Sequence, residues 1–366
     1  MRITSLVLRN FRNYIDLSVE FPHNINIFIG KNAQGKTNLL EALYFGAMGR
    51  SHRTAVDYEL IRWHQSAAMV EIAFIRQDVP QRLQFRLHAT MPKEIILNGN
   101  VVKTREIIGR LNYVLFSPED LWLIKGTPAV RRRFLDIEIS QANPTYYYQL
   151  LQYNRILAQR NQLLKKIRDG EAAVDLLDSW DEQLAVVAAA IVAKRRQAVQ
   201  KLAMLANLMH RRITANQENL AISYQLTAPE TALPDAGSQQ WYKNLLRHQR
   251  RDDIRRGSTG IGPHRDDLVL AVNGSNLRVY GSQGQQRTGV LALKLAELEF
   301  IKSEQKEYPV LLLDDVLSEL DSQRQFHLLA FIKDRVQTFI TTTDEREFPD
   351  KQIAKIYRVA NGKITG

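Results

Sequence analysis

The run Gly30-Lys31-Asn32-Ala33-Gln34-Gly35-Lys36-Thr37 is a complete G-x-x-x-x-G-K-T, and it constrains this chain more than any other segment. Before it, residues 24–29 are β-prone and alternating; after it, residues 38–45 are apolar at helical spacing. Strand, glycine loop and helix form the context in which the motif has a mechanism. The glycines let successive backbone N–H groups curl around phosphates, and the helix N-terminus adds its positive dipole end. Lys36 then reaches the β/γ-phosphates, while the Thr37 hydroxyl is offered to Mg²⁺. The segment predicts a nucleotide-binding fold with Mg²⁺ on the phosphates.

The flanking chain has to accommodate that site. Its 366 residues suit one large or two modest domains. Lys and Arg number 50 against 39 Asp and Glu, a net charge of +11, which points to a polyanionic partner such as nucleic acid or an acidic membrane surface. There is no cysteine, so disulfides, thiol catalysis and cysteine-ligated zinc are excluded. Met1-Arg2-Ile3-Thr4 runs directly into strand character, with no apolar stretch near the roughly 18 residues of a membrane span. A cytoplasmic protein without a membrane partner is expected.

Residues 2–8, 24–30, 68–76, 82–88, 94–103 and 111–116 read as strands, with Asn98-Gly99 as a two-residue hairpin turn. Ser117-Pro118-Glu119-Asp120 has the chemistry of a helix start. From there to about residue 256 the periodicity is helical, including a run over residues 178–212 that would be roughly 50 Å long at 1.5 Å per residue. It lacks a sustained heptad, which predicts a packed helical lobe and not a free coiled coil. Residues 228–238 read as a loop and 247–256 as an exposed basic stretch. Strand character returns at 268–272 and 277–280 around a second Asn273-Gly274 turn, followed by a helix over 285–305 and a strand over 309–313.

That last strand, Val310-Leu311-Leu312-Leu313, ends in Asp314 and Asp315. A phosphate-loop enzyme needs a carboxylate at the end of a strand beside the loop strand, to hold Mg²⁺ through water. Asp314 fits that role, and Asp315 is placed to orient or deprotonate the attacking water. Asp314 stands 278 positions after Lys36, so the halves of the site come from opposite chain ends and an insertion sits inside the fold. The expected architecture is α/β: an ATPase head from residues 1–117 and 258–366, with a mainly helical second lobe, 118–257, inserted. A third piece is Ser282-Gln283-Gly284-Gln285, just ahead of a helix. Its hydroxyl, backbone N–H groups and helix dipole make a second anion cradle. One chain does not need two γ-phosphate cradles, so the economical expectation is a symmetric dimer in which Ser282, Gly284 and Gln285 close on the partner's nucleotide.

Together these residues resemble the ABC-type ATPase heads of the SMC superfamily, and within it the RecF family of bacterial DNA replication and repair proteins, over nearly the whole chain. The resemblance is carried by Leu6-Val7-Leu8-Arg9-Asn10-Phe11-Arg12-Asn13-Tyr14, the loop at 30–37, Phe116-Ser117-Pro118-Glu119-Asp120-Leu121 and Arg131-Arg132-Arg133-Phe134-Leu135-Asp136. Gly262-Pro263-His264-Arg265-Asp266-Asp267, the segment 281–287 and the segment 312–321 complete it. It implies that Ser282 begins the signature motif, that Ser318 to Asp321 form a D-loop at the dimer interface, and that Phe116 to Asp120 lie near a Q-loop. It further implies a homodimer formed with ATP, binding to single-stranded and gapped duplex DNA, the RecO and RecR proteins as partners, recombinase loading and SOS induction. ATP would serve as a switch, with weak DNA-stimulated hydrolysis. Two residues depart from the wider ABC pattern: Gln283 stands where Gly is usual and Asp315 where Glu is usual. Residues 340–344 offer threonines where an H-loop histidine is expected.

Weaker features divide differently. Arg131-Arg132-Arg133 fits phosphate contact or a solvated helix face equally. His264 has no partner histidines at ligand spacing, which favours a structural role, and Tyr146-Tyr147-Tyr148 favours packing over base stacking. The rival readings are a short SMC-type DNA organiser, which would need far longer heptad stretches, and an ABC-type subunit of another complex such as a transporter, which the +11 balance opposes.

Overall fold

Alternating burial organises the first strand, β1 (Arg2–Phe11): Ile3, Leu6, Leu8 and Phe11 turn inward, with a register shift between Ile3 and Ser5 at the first change of phase and the positive φ of Asn10, 47°, at the second. The protein is described by a computed structural model over residues 1–22, 24–227, 236–343 and 354–365. β1 pairs with β2 (Tyr14–Glu20) and β4 (Ala67–Arg76), and the sheet continues through β5 (Val79–His88), β6 (Glu94–Leu97) and β7 (Asn100–Val102). All pairings are antiparallel, in the order β2-β1-β4-β5-β6-β7. Asn98 and Gly99 both have positive φ, 51° and 87°, as the two-residue turn demands.

A second sheet is mostly parallel. Its order is β15-β14-β3-β13-β12-β8, from β3 (Ile25–Ile29), β8 (Tyr113–Phe116), β12 (Val310–Asp314), β13 (Thr338–Thr342), β14 (Ala354–Ala360) and β15 (Lys363–Thr365). β3 is buried along its whole length, as a central parallel strand is. Helix α1 (Lys36–Met48) touches both sheets, its Phe45 ring 5.0 Å from Phe85 of β5 and its Tyr44 ring 4.5 Å from Tyr113 of β8. This explains why it is apolar nearly all round. Phe21, Phe28, Phe339 and Tyr357 form an aromatic cluster beneath the second sheet, with Phe21 edge-on to Phe339 at 4.8 Å. A single turn, α2 (Thr104–Ile107), and α10 (Ser322–Ile332) also belong to this part of the chain, together with the larger part of a helix over Gln283–Gln305.

The chain divides into two compact units, Met1–Asp120 with Val290–Gly366, and Leu121–Gly289. The second unit holds a short turn, α3 (Trp122–Lys125), then α4 (Pro128–Ala142), α5 (Pro144–Arg168), α6 (Leu177–Ile213) and α7 (Gln239–Arg256). It also has a three-stranded sheet, β11-β10-β9, from β9 (Leu220–Gln225), β10 (Asp267–Val272) and β11 (Ser275–Asn276). Pairing of β10 with β9 draws residues 258–289 into the helical unit, so its boundary falls 32 residues beyond the position read from sequence. α6 fills the place of the run at 178–212, and 247–256 lies on α7. Three expectations differ. Ser117-Pro118 opens only a 3₁₀ turn, Pro118–Leu121, before α3, and the chain breaks again at Gly126. Residues 277–280 form the helical turn α8 (Leu277–Tyr280) because the Asn276 side chain accepts from the Arg278 N–H at 2.9 Å, an N-cap in place of a strand. Of the expected loop at 228–238, residues 228–235 lie outside the described residues, as does Asp344. No helix of the described residues is long and apolar enough to cross a membrane.

Two arginines anchor the second unit. Arg160, fully buried, donates to Asp181 at 2.7 Å and Asp253 at 2.8 Å, and Arg195 donates to Asp136 at 2.8 Å and the Pro263 carbonyl at 2.5 Å. Buried charges persist only where paired in this way.

Candidate functional site

The loop after β3 closes around its own backbone. A Cβ on Gly30 would lie 2.2 Å from the Val359 carbonyl oxygen of β14, so only glycine fits there. Gly35 sits at φ 114° and leads directly into α1. Lys36 Nζ donates to the carbonyls of Gly30 at 2.6 Å and Lys31 at 3.0 Å, arching over the loop. Burial lowers the Lys36 ammonium below its ordinary value, against the opposing pull of Asp315 and Asp314.

Thr37 Oγ1 donates to Asp314 Oδ1 at 3.1 Å. Strand order corrects the sequence reading here: β13 lies between the loop strand β3 and β12, so the acid's strand is one place removed from the loop strand. Thr341 of β13 bridges the gap. Its hydroxyl donates to Asp314 Oδ1 at 2.7 Å and accepts from the Asp315 N–H at 2.9 Å. Asp315 has φ 54°, a left-handed backbone that short acids tolerate better than longer side chains. The Ser318 hydroxyl in turn donates to the Asp315 carbonyl at 2.8 Å, and Asp321 caps α10.

The β1–β2 turn grips the loop from below. Asn13 Nδ2 donates to the Gln34 carbonyl at 3.0 Å, and Tyr14 Oη to the Gly35 carbonyl at 3.1 Å. Arg12 makes a two-pronged contact with Glu41 of α1 at 2.9 and 2.7 Å, and Ser51 donates to the same carboxylate at 2.5 Å. Burial alone would raise the Glu41 carboxyl; the hydrogen bonds from Arg12 and Ser51 and the charges of Arg12 and Arg53 outweigh it and hold it below the usual range. From the far end of the chain, the N–H of Asn361 donates to Gln34 Oε1 at 2.8 Å and that of Gly362 to the Gln34 carbonyl at 3.2 Å. Sequence reasoning valued Arg12, Asn13 and Tyr14 only for resemblance and noticed Thr341 only as a missing histidine. The run of positive φ values at Asn10 and Arg12 marks a tight, specific turn that no periodicity reveals.

These groups fit a nucleotide phosphate chain with a hard cation. The loop supplies backbone N–H groups at a helix N-terminus, and Thr37 with Asp314 supplies oxygen donors. Among the described residues no group of three or more His, Asp and Glu is placed to hold a metal ion.

Ser282, Gly284 and Gln285 belong to the second unit. Ser282 is exposed and caps α9 (Gln283–Gln305) in a reciprocal box: its hydroxyl accepts from the Gln285 N–H at 3.2 Å, and Gln285 Oε1 accepts from the Ser282 N–H at 3.0 Å. The other candidates separate cleanly. Arg131 is buried and two-pronged on Asp267, and Arg132 donates to the Asp266 carbonyl, which leaves only Arg133 exposed. The run is neither a phosphate patch nor a solvated face. His264 Nδ1 meets Tyr153 Oη at 2.5 Å and Nε2 meets the Thr259 carbonyl at 3.1 Å; burial pushes it down to about 4. Tyr146 is buried on Asp136 and Arg195, while Tyr148 is exposed. Near the expected Q-loop, burial raises the Asp120 carboxyl against the pull of Lys294, 3.0 Å away.

Residues 2–365 match the family model for the RecF/RecN/SMC N terminal domain. The DNA replication and repair protein RecF of Halothermothrix orenii is 45% identical over 376 residues, spanning 100% of this chain and 99% of that protein. A solved structure of the recombination mediator protein RecF-ATP in the RecFOR pathway is 37% identical with a TM-score of 0.92, over 100% of this chain and 97% of that one. The SmcHead bound to the C-winged helix domain of ScpA shares the fold, at 16% identity and a TM-score of 0.59.

Proposed function

This chain belongs to the RecF/RecN/SMC family, in its RecF branch, and on that premise we propose that it is an ATP-dependent DNA-binding protein of recombinational repair and replication. The observation that carries the reading is the loop at residues 30–37, joined through Thr37, Thr341 and Asp314 to the far end of the chain. Its backbone and Lys36 hold the phosphates of ATP, and Thr37 with Asp314 holds Mg²⁺, which supplies charge neutralisation between the β- and γ-phosphates when bound. Asp315 orients the water that attacks the γ-phosphate. Being one methylene shorter than the usual Glu, it holds that water less firmly, so hydrolysis is slow and ATP acts as a switch.

Ser282, Gly284 and Gln285 complete the site of a second copy, making the ATP-bound form a symmetric dimer. The excess of cations favours DNA as the polyanion; likeness to RecF proteins of the RecFOR pathway supports single-strand gaps as the target and the RecO and RecR proteins as partners. A short SMC-type organiser is disfavoured by α6: at 37 residues it is about 55 Å long and packs against α5 and α7 through Asp181.

Gel shifts on gapped DNA with and without ATP, across a salt series, test the reading. ATP strengthens wild-type binding, Lys36→Ala abolishes that gain, and log affinity falls linearly with log salt. Binding indifferent to both ATP and salt would overturn it.

A further inference from the structure

The signature turn is gripped from outside its own helix by one carboxylate. The Gln285 side chain lies between two partners: Oε1 accepts from the Ser282 N–H at 3.0 Å, and Nε2 donates to Glu218 Oε1 at 2.7 Å. A side-chain amide can turn over with almost no change of shape, so its neighbours decide which end faces which way. A carboxylate only accepts. Glu218 therefore fixes the Nε2 end on its own side and leaves Oε1 for Ser282.

Glu218 is itself held at both oxygens. Oε2 accepts from Nε2 of His210, a fully buried residue in the last turn of α6, at 3.1 Å. The Glu218 N–H meets Thr214 Oγ1 at 3.4 Å, and that hydroxyl donates to the His210 carbonyl at 2.9 Å. The carboxylate thus sits on the short connection between α6 and β9, and joins the end of the long helix to the start of α9.

We propose that Glu218 is a positioning residue for the signature turn: it sets the orientation of the Gln285 amide, and through it the backbone N–H and hydroxyl that Ser282 presents to the nucleotide of a second copy. The proposal rests on the reading of Ser282 given above. Removing the carboxylate frees Gln285 to rotate, and the donors at the start of α9 lose their fixed aim. A glutamine at 218 keeps an acceptor oxygen for Gln285 Nε2, with His210 able to present its other tautomer to the new amide.

Full-length Glu218→Ala, Glu218→Gln, Gln285→Ala and Ser282→Arg are compared by sedimentation with ATP for the dimer Kd and by fluorescent-nucleotide titration for the monomer. Glu218→Ala is expected to weaken ATP-dependent dimerisation about tenfold with monomer nucleotide affinity unchanged, and Glu218→Gln to stay within about twofold of wild type. Gln285→Ala reproduces the loss, and Glu218→Ser, which leaves no side-chain oxygen within reach of Gln285 Nε2, carries the test if Glu218→Ala does not fold. Wild-type dimerisation by Glu218→Ala, alongside a defective Ser282→Arg, would overturn the proposal and leave the dimer reading intact. Equal damage from Glu218→Ala and Glu218→Gln would overturn it too, because the charge and not the amide orientation would then matter. A Ser282→Arg protein that dimerises normally would remove the underlying reading, and the proposal with it.

Discussion

At the level of single residues, the two adjacent carboxylates are held in different ways and predict different defects. Asp314 is hydrogen-bonded by Thr37 and Thr341, whereas Asp315 is turned by a left-handed backbone at the strand end. Asparagine tolerates that backbone, so Asp315→Asn is expected to fold, bind ATP and accumulate a dimer whose hydrolysis falls about 100-fold or more. Asp314→Asn instead weakens Mg²⁺-dependent nucleotide binding. Nucleotide titration and single-turnover hydrolysis separate the two, and exchanged phenotypes would reverse the roles. The loop and both acids were legible in the sequence because each motif is local and chemically stereotyped. The support beneath them was not. Arg12 reaches Glu41, and Asn361 reaches Gln34, across separations that no spacing rule covers. Arg131 failed in the opposite direction: a dense arginine run looks like a surface, yet the Asp267 that buries it stands far along the chain.

Elements show the same division between local and distant causes. Hairpins at Asn98-Gly99 and Asn273-Gly274 followed from turn chemistry, and the span of α6 from its apolar period. The order of strands did not, because the place of β13 between β3 and β12 depends on pairings that only the folded chain makes. Residues 277–280 carry strand-like side chains but obey the cap at Asn276. The close approach of β14 to the loop gives an element-scale prediction. Gly30→Ala sets a Cβ against the Val359 backbone, which cannot move as a side chain would. It is expected to cost about 1–3 kcal/mol of stability, seen as a lowered Tm, and to weaken ATP binding by displacing the loop. A variant with unchanged Tm and affinity would show that β14 yields freely.

For the whole molecule, the division into a unit made from both chain ends and a contiguous second unit puts the phosphate loop and the signature turn on different bodies. If the sites are shared between copies, Ser282→Arg binds ATP as a monomer but neither dimerises nor hydrolyses. Mixed with Lys36→Ala protein, it rebuilds one composite site from an intact loop and an intact signature. Sedimentation of each variant alone, then ATPase activity of the mixture, checks this; a Ser282→Arg protein that dimerises normally would reduce the turn to a helix cap. The same division has a bearing on biosynthesis. β3 leaves the ribosome early, but its sheet neighbours β13 and β14 follow only after about 300 more residues, on the order of 15–60 s at typical elongation rates. The antiparallel sheet and the contiguous unit, by contrast, pair within themselves and can form as they emerge. During that interval α1 keeps an apolar face waiting for strands not yet made.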